Sequence, residues 1–396
     1  MIMGGSKVDK KPLVGRKCLA VGIILLFVGT CIIPSSAQNT EKTLPPSRGS
    51  WLYVGGSGPG NYTKVQDAVD NASDSDTIFV YDDLSPYHEN LLNITKSITL
   101  IGEDKNTTII QSSTGISLIN VNQENVTIRG FTIKNTSYAY TPAAIYIYSN
   151  HCEITDNIFI GNWGGVEINS DYSKITNNNF INNSFGFSIK GSYHCEIKNN
   201  FFINHQFGLI VQNYASYCEI TDNIFINNRR SMRLRGSMNY VSKNTISHSS
   251  NDKGLYVEGN FNNISGNNIT SCGYGIFLKY SNNNTINNNV ITIKCFEGIY
   301  VGDSNNNTIR SNLIKANTIG IFLYASKQNY IQNNNFIHNF INAMFHTSNN
   351  KWNDNYWTRP RILPKPIIGV SLINFKRIPV IQFDWHPALK PYDIGG

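Results

Sequence analysis

Residues 153–168 read EITDNIFIGNWGGVEI, residues 174–189 read KITNNNFINNSFGFSI, and residues 196–211 read EIKNNFFINHQFGLIV. In each stretch an aliphatic residue is followed three positions later by Asn: Ile154/Asn157, Ile175/Asn178 and Ile197/Asn200. Outward from these, the same pair recurs at Ile220/Asn223, Val241/Asn244, Ile264/Asn267, Ile286/Asn289, Ile309/Asn312 and Ile331/Asn334. The repeating unit is thus about 21 to 23 residues long. Val126 opens a looser copy in which Arg129 takes the Asn position.

A second element follows in every unit, a small residue and two apolar ones bracketing one other position. It reads Gly165-Val166-Glu167-Ile168, then Gly186-Phe187-Ser188-Ile189, and so on to Gly320-Ile321 and Ala343-Met344. Alternation at period two over so few residues means short strands with one buried face. The unit is too short for a helical crossover, so successive strands must coil directly onto one another. The expected fold is all-β: a right-handed, single-stranded parallel β-helix of ten or more rungs, each about 4.8 Å above the last. The column Asn157, Asn178, Asn200, Asn223, Asn244, Asn267, Asn289, Asn312 and Asn334 is read as a structural ladder. Asn tolerates a left-handed turn, and its amide can pair with the same residue on the next rung. The small residue of the second strand is expected where the chain turns sharply.

Composition agrees with stacking. Hydrophobic residues reach 40%, enough for a core, charged residues only 15%, and roughly one residue in seven is Asn, a poor choice for helices or sandwiches. The net charge of +7 includes the basic residues near the N-terminus, and no Lys/Arg block suggests nucleic acid. Lys7, Lys10, Lys11, Arg16 and Lys17 precede an apolar run from Cys18 to Ile33 and then Pro34-Ser35-Ser36-Ala37, which reads as an export signal over residues 1–37. An uncleaved membrane anchor is the alternative, and would be the chain's one link to a membrane. Residues 38–50 read as a linker, 51–346 as the coil, and 347–396 as a C-terminal capping tail. The expected location is extracellular or at the cell surface, and the expected state is a monomer. Asn-x-Ser/Thr triplets such as those at Asn61, Asn93, Asn263 and Asn283 would accept glycans in a host that glycosylates them, and the Asn-rich repeat also generates such triplets unaided.

Export removes Cys18 and Cys31 and leaves Cys152, Cys195, Cys218, Cys272 and Cys295, an odd set that exchanges column by column with Ser and Asn. These read as small stacked residues. Thr63 to Ala72 reads as a capping helix, with Thr63 and Gln66 as a capping box and Val65, Ala68 and Val69 on one face. After His346 the repeat stops, and a tail rich in aromatic residues and Pro is expected to pack along the last rungs.

The entry segment, with Val65-Gln-Asp-Ala-Val69, Asp76-Thr-Ile-Phe-Val80 and Ile98-Thr-Leu-Ile-Gly102, resembles the opening of pectin-lyase-like β-helices. The repeats from Ile154 to Asn334 resemble those of the NosD-like family, found in carbohydrate-binding and sugar-hydrolase domains. The resemblance covers most of the chain and implies the fold; this fold hosts many activities.

Three functions follow as expectations. The first is a non-catalytic protein that binds polysaccharide or another envelope component. Its outward column would read Tyr146, Glu167, Ser188, Ile210, Arg233, Tyr256, Phe277, Tyr300, Phe322 and Phe345, with Tyr146, Glu167, Arg233, Tyr256, Phe277 and Tyr300 as the binding stripe. Aromatic rings would stack sugars while Glu167 and Arg233 bond hydroxyls or carboxylates. Covering by the tail would leave only the Tyr146-to-Tyr256 part open. The second is a polysaccharide lyase, epimerase or hydrolase, which needs paired carboxylates or a base facing a cation. Glu153, Glu196 and Glu219 share a column and read as a charged face. Arg359-Pro360-Arg361 is faintly similar to the Arg/Pro motif of pectate lyases, and Asp384-Trp385-His386-Pro387 reads as packing or capping. No aspartate cluster of the calcium-binding kind is evident. The third, implied by the NosD resemblance, is a copper-maturation accessory, for which His151-Cys152 and His194-Cys195 with Cys218 are the best constellation. Two rungs separate the histidines, too far for one ion, so no metal site is assigned.

Overall fold

The computed structural model describes residues 49–112, 118–135, 143–249, 252–373 and 376–394. The segment read as an export signal lies outside the described residues. No described helix is long and apolar enough to cross a membrane.

The chain is a right-handed parallel β-solenoid of about 14 turns. Strands of the coil pair in parallel with their equivalents one turn later, as in Ile154↔Ile175, Ile175↔Ile197 and Ile197↔Ile220. Each turn carries three strands, one more than the repeat reveals. The additional ones, such as Ile158–Ile160, Asn179–Ile181 and Phe201–Ile203, form a sheet of their own thirteen strands deep. With three residues each they are too short to show alternation in a sequence. Their central residues point inward and stack: Phe159, Phe180, Phe202 and Phe225 lie with ring centroids 4.8, 4.9 and 4.6 Å apart. All four rings are fully buried, so one column alone removes several large apolar side chains from water.

The Asn ladder is present, and its backbone differs from expectation. The left-handed corner is taken by the residue before each ladder Asn, at Asp156, Asn177 and Asn199 with φ of 55°, 57° and 55°. The ladder Asn turns its side chain inward and is fully buried. Asn200 is representative: its Nδ2 donates to the Ile175 carbonyl at 2.7 Å and to Asn223 Oδ1 at 3.0 Å, and its own N–H donates to that same Oδ1 at 3.0 Å. The side chain therefore satisfies backbone groups that the corner takes out of the strand ladder. Asn of the glycan-acceptor triplets, at Asn93, Asn263 and Asn283, instead face solvent.

Two further expectations change. Gly165 and Gly186 lie inside strands, not at a turn. A Cβ on Gly186 would stand 2.5 Å from the Gly208 carbonyl oxygen and 2.8 Å from the Phe202 ring, so the column is small because the Phe stack presses on it. The helix spans Val65–Asn71 and buries Val65, Ala68 and Val69, but Lys64 occupies its N-cap and makes no side-chain cap bond. In place of a local capping box, Glu89 from the next turn accepts the Val65 N–H at 2.8 Å.

At the far end the coil runs one rung beyond His346. Lys351, Trp352, Tyr356 and Trp357 pair in register with Tyr330, Ile331, Asn335 and Phe336, and Asn355 extends the ladder by accepting from Asn334 Nδ2 at 3.0 Å. Strands Lys365–Ile373 and Lys376–Asp384 then form an antiparallel hairpin that closes the end. The first adds to Ile341–His346 and the second to Asn349–Asn353. The exposed strand edges of the last turn are thereby covered. The tail's side-chain bonds go to residues 335–357, through Gln382, Asp384, His386 and Tyr392. It caps the coil, and among the described residues no hydrogen bond joins it to the outward stripe.

Candidate functional site

One sheet of the solenoid comprises Ala143–Ile147, Gly164–Ile168, Phe185–Ile189, Phe207–Val211, Arg230–Leu234, Lys253–Val257, Tyr274–Lys279, Glu297–Gly302, Ile319–Tyr324 and Ile341–His346. Its outer surface carries the predicted column. Register runs Tyr146↔Glu167↔Ser188↔Ile210↔Arg233↔Tyr256↔Phe277↔Tyr300↔Phe322↔Met344. The column ends on Met344, not Phe345, which pairs with Leu323 and is buried. Asn342 takes the small-residue position there, so an alignment on Ala343 is one residue out.

Two flanking columns went unrecognised. Before the stripe stand Phe185, Phe207, Arg230, Lys253, Tyr274 and Glu297; after it stand Lys190, Gln212, Arg235, Glu258 and Lys279. Spacing was the available signal: the first column lies three residues before the stripe, beyond the small residue, and the second lies two residues after it. Near the start of the face, Tyr146, Trp163, Phe185 and Glu167 enclose a hollow of about 360 Å³ floored by Ser188 and Ile210. Glu167 is paired with Lys190 at 2.6 Å. Burial and the Glu167 carboxylate push the Tyr146 phenol up to about 12.

In the middle, Arg233 grips Glu258 with two bonds of 2.7 and 3.0 Å, Arg235 adds a third at 3.2 Å, and the Tyr256 hydroxyl donates to it at 2.9 Å. Burial alone would raise the Glu258 carboxyl, but the bonds from Arg233 and Tyr256 outweigh it and hold the group below its usual range. Beside it, Arg230 at 3.0 Å and Lys253 at 3.1 Å hold Asp252, with Arg229 at 3.6 Å. Five cations thus face two carboxylates across two rungs, an excess of positive charge at the centre of the face.

Further along, Phe277 and Tyr300 stack at 4.4 Å with planes 7° apart, while Tyr256 meets Phe277 edge-on at 5.2 Å. Phe277 and Tyr300 cover one another's faces, so this part of the stripe is a packed aromatic cluster and not a row of open stacking platforms. The Lys253 ammonium lies 4.7 Å from the Phe277 ring centre.

Glu297 differs from every other carboxylate of the face. It is 5% exposed, its Oε2 has no hydrogen-bond partner, and burial pushes its carboxyl up to about 7. In the unfolded chain it would ionise near 4.5, the ordinary value for glutamate. For an acid whose folded value is raised, stability is fully present below the unfolded value and falls as pH rises through the folded one. Glu297→Gln is therefore expected to match the parent near pH 4 and to exceed it by about 3 kcal/mol near pH 8. Urea melts at the two pH values measure this; an equal difference at both would contradict it.

The copper constellation does not assemble. His151 is exposed and stacks on Tyr172 at 5.1 Å, and Tyr172 stands between it and His194, 5.2 Å beyond. Cys152, Cys195 and Cys218 point the other way into the core, so neighbouring His and Cys occupy opposite faces of the chain. Burial pushes the Cys152 thiol up to about 11, away from the thiolate that copper prefers. Among the described residues no group of three His, Cys, Asp or Glu is placed to hold a metal. Among the described residues, His151, His194 and the three core cysteines do not fit a copper site.

Residues 69–261 and 232–373 match the family model described as "Periplasmic copper-binding protein (NosD)". No curated protein matches the sequence. Solved structures similar to the chain include an alginate lyase, AlyF-OU02, in complex with G6, at 13% identity over 85% of this chain and 92% of that one, TM-score 0.53. A DFA-IIIase from Arthrobacter chlorophenolicus A6 in complex with GF2 is 12% identical over 78% and 95%, TM-score 0.52. The catalytic unit of a GH87 alpha-1,3-glucanase from Streptomyces thermodiastaticus is 12% identical over 77% and 66%, TM-score 0.59. At these identities the likeness is one of fold.

Proposed function

The chain belongs to the NosD family, and from that premise we propose that it works outside the cytoplasm as a non-catalytic binder of an acidic polysaccharide, held on the sheet face between Tyr146 and Tyr300. The family's description as periplasmic and the N-terminal sequence support the location. One observation carries the ligand: the cation excess around Arg230, Arg233, Arg235 and Lys253, set on one open face with the aromatic hollow at Tyr146 and Trp163. A polymer lying along the coil would meet about 4.8 Å of rise per rung, with its carboxylates against the guanidinium groups and an apolar sugar face in the hollow.

The carboxylates favour binding over cleavage. Glu167, Asp252, Glu258 and Asp303 are each held by a cation within 3.2 Å, which leaves them poor general acids. Glu297 is the group that favours a second reading, a lyase or hydrolase like several structural neighbours.

Affinity electrophoresis in gels containing alginate, polygalacturonate or neutral dextran separates the readings. The parent should be retarded by the acidic polymers only. Arg233→Gln with Tyr256→Ala should weaken that retention about tenfold, the worth of one charge-assisted contact, in gels run well below the variant's own melting temperature. Retention identical in parent and variant across the acidic polymers would sink the proposal, and growing absorbance from unsaturated products would replace it with a lyase.

A further inference from the structure

At the C-terminal end of the coil, on the corner that leads into the same sheet, lies a concavity of about 820 Å³. Lys294 and His338 reach it from left-handed corners two rungs apart, with φ of 62° and 52° and Ala316 at the corner between them. Arg359 and Arg361 enter just after the last rung strand, Tyr356–Trp357, and Lys365 enters from the start of the hairpin. No Asp or Glu lines it. Among the described residues, none of these four Lys and Arg side chains makes an ion pair. The Arg361 Nε is buried without a hydrogen-bond partner.

We infer that this concavity binds an acidic saccharide, its carboxylate or sulfate seated between Arg361 and Lys365. Four cations gathered with no counter-charge repel one another, and an anion among them relieves that repulsion. Burial and the neighbouring Arg361 both depress the Lys365 ammonium, the signature of that crowding. The guanidinium fork suits a planar carboxylate with two parallel bonds. The volume exceeds what a bare oxyanion needs and falls within the range of about 300–1,000 Å³ typical of small-ligand sites. Phe340, 87% exposed, supplies an aromatic surface for a sugar ring, and Asn342 and Thr358 line the concavity with polar groups for its hydroxyls. The site is separate from the central face and rests on the acidic-polysaccharide reading only for its class of ligand.

Lysine acetylation footprinting on the whole protein distinguishes the two. Trigalacturonate should slow acetylation of Lys294 and Lys365 about tenfold, whereas galactotriose should not. Arg361→Gln with Lys365→Gln should weaken trigalacturonate binding by calorimetry about tenfold or more, and more so at low ionic strength. Unchanged acetylation of Lys294 and Lys365 in the parent overturns the inference without relying on any variant. Equal protection by inorganic phosphate overturns it too, since the site would then take a free oxyanion. Protection of Lys253 alone would sustain the central face and overturn this site; protection of Lys294 and Lys365 without Lys253 would do the reverse.

Discussion

Asn244→Ala is expected to lower the stability of the coil by about 4 kcal/mol, although no charge or large apolar side chain is lost. Asn244 is fully buried. Its Nδ2 donates to the Ile220 carbonyl at 2.8 Å, and its Oδ1 accepts from the Asn223 N–H at 3.0 Å. Alanine leaves both backbone groups dry and unpaired, at roughly 1–3 kcal/mol each, and adds a small cavity. The neighbouring Asn263 faces solvent, so Asn263→Ala should change stability by less than about 0.5 kcal/mol. Stacked repeats need not unfold in one step, so the measurement is hydrogen exchange in the rungs around residue 244 together with a urea melt. A loss below about 1 kcal/mol would show that water or a shifted backbone satisfies the orphaned groups.

Asp384→Ala is expected to cost about 4 kcal/mol and to act only on the C-terminal end. The ladder that begins in the middle rungs ends on this carboxylate. Asp384 Oδ2 accepts from the Asn355 N–H at 3.0 Å, from Asn355 Nδ2 at 3.0 Å and from Trp357 Nε1 at 2.9 Å, all fully or nearly shielded from water. Removal orphans these donors and frees the hairpin whose last residue Asp384 is. Asp384→Asn keeps a carbonyl oxygen able to accept the same bonds and should retain more than half of the stability. Exchange protection should fall at Asn349–Trp357 and in the hairpin while the central rungs stay protected. Loss spread evenly along the coil, or none, would mean that Asp384 is not the ladder's terminus.

Much of this architecture is legible in the sequence. The recurrence of Ile154/Asn157 along the chain dictates a parallel coil because identical side chains can be identical neighbours only if one strand lies in register on the next. The stripe from Tyr146 to Tyr300 was readable for the same reason, since period two within a strand and period one turn between strands locate every outward column. Failures came where a position depends on groups distant in sequence. Glu89 displaces the local capping box at Val65, Asn342 replaces Ala343 once the last rungs shift, and the coil continues past His346 because Trp352 and Trp357 stand in for the usual aliphatic and Phe.

The sequence by itself determined the solenoid, its direction of stacking, its buried Asn ladder and the surface column on which to look for function. Those properties follow from repetition, which is written along the chain. Only the tertiary structure decided that the tail is a cap and not a cover, that Phe277 and Tyr300 are packed face to face, that copper donors are kept apart, and that Lys294, Arg359, Arg361 and Lys365 share one concavity. Each of these turns on where side chains from separate turns meet, a matter of three-dimensional closure that spacing alone does not encode.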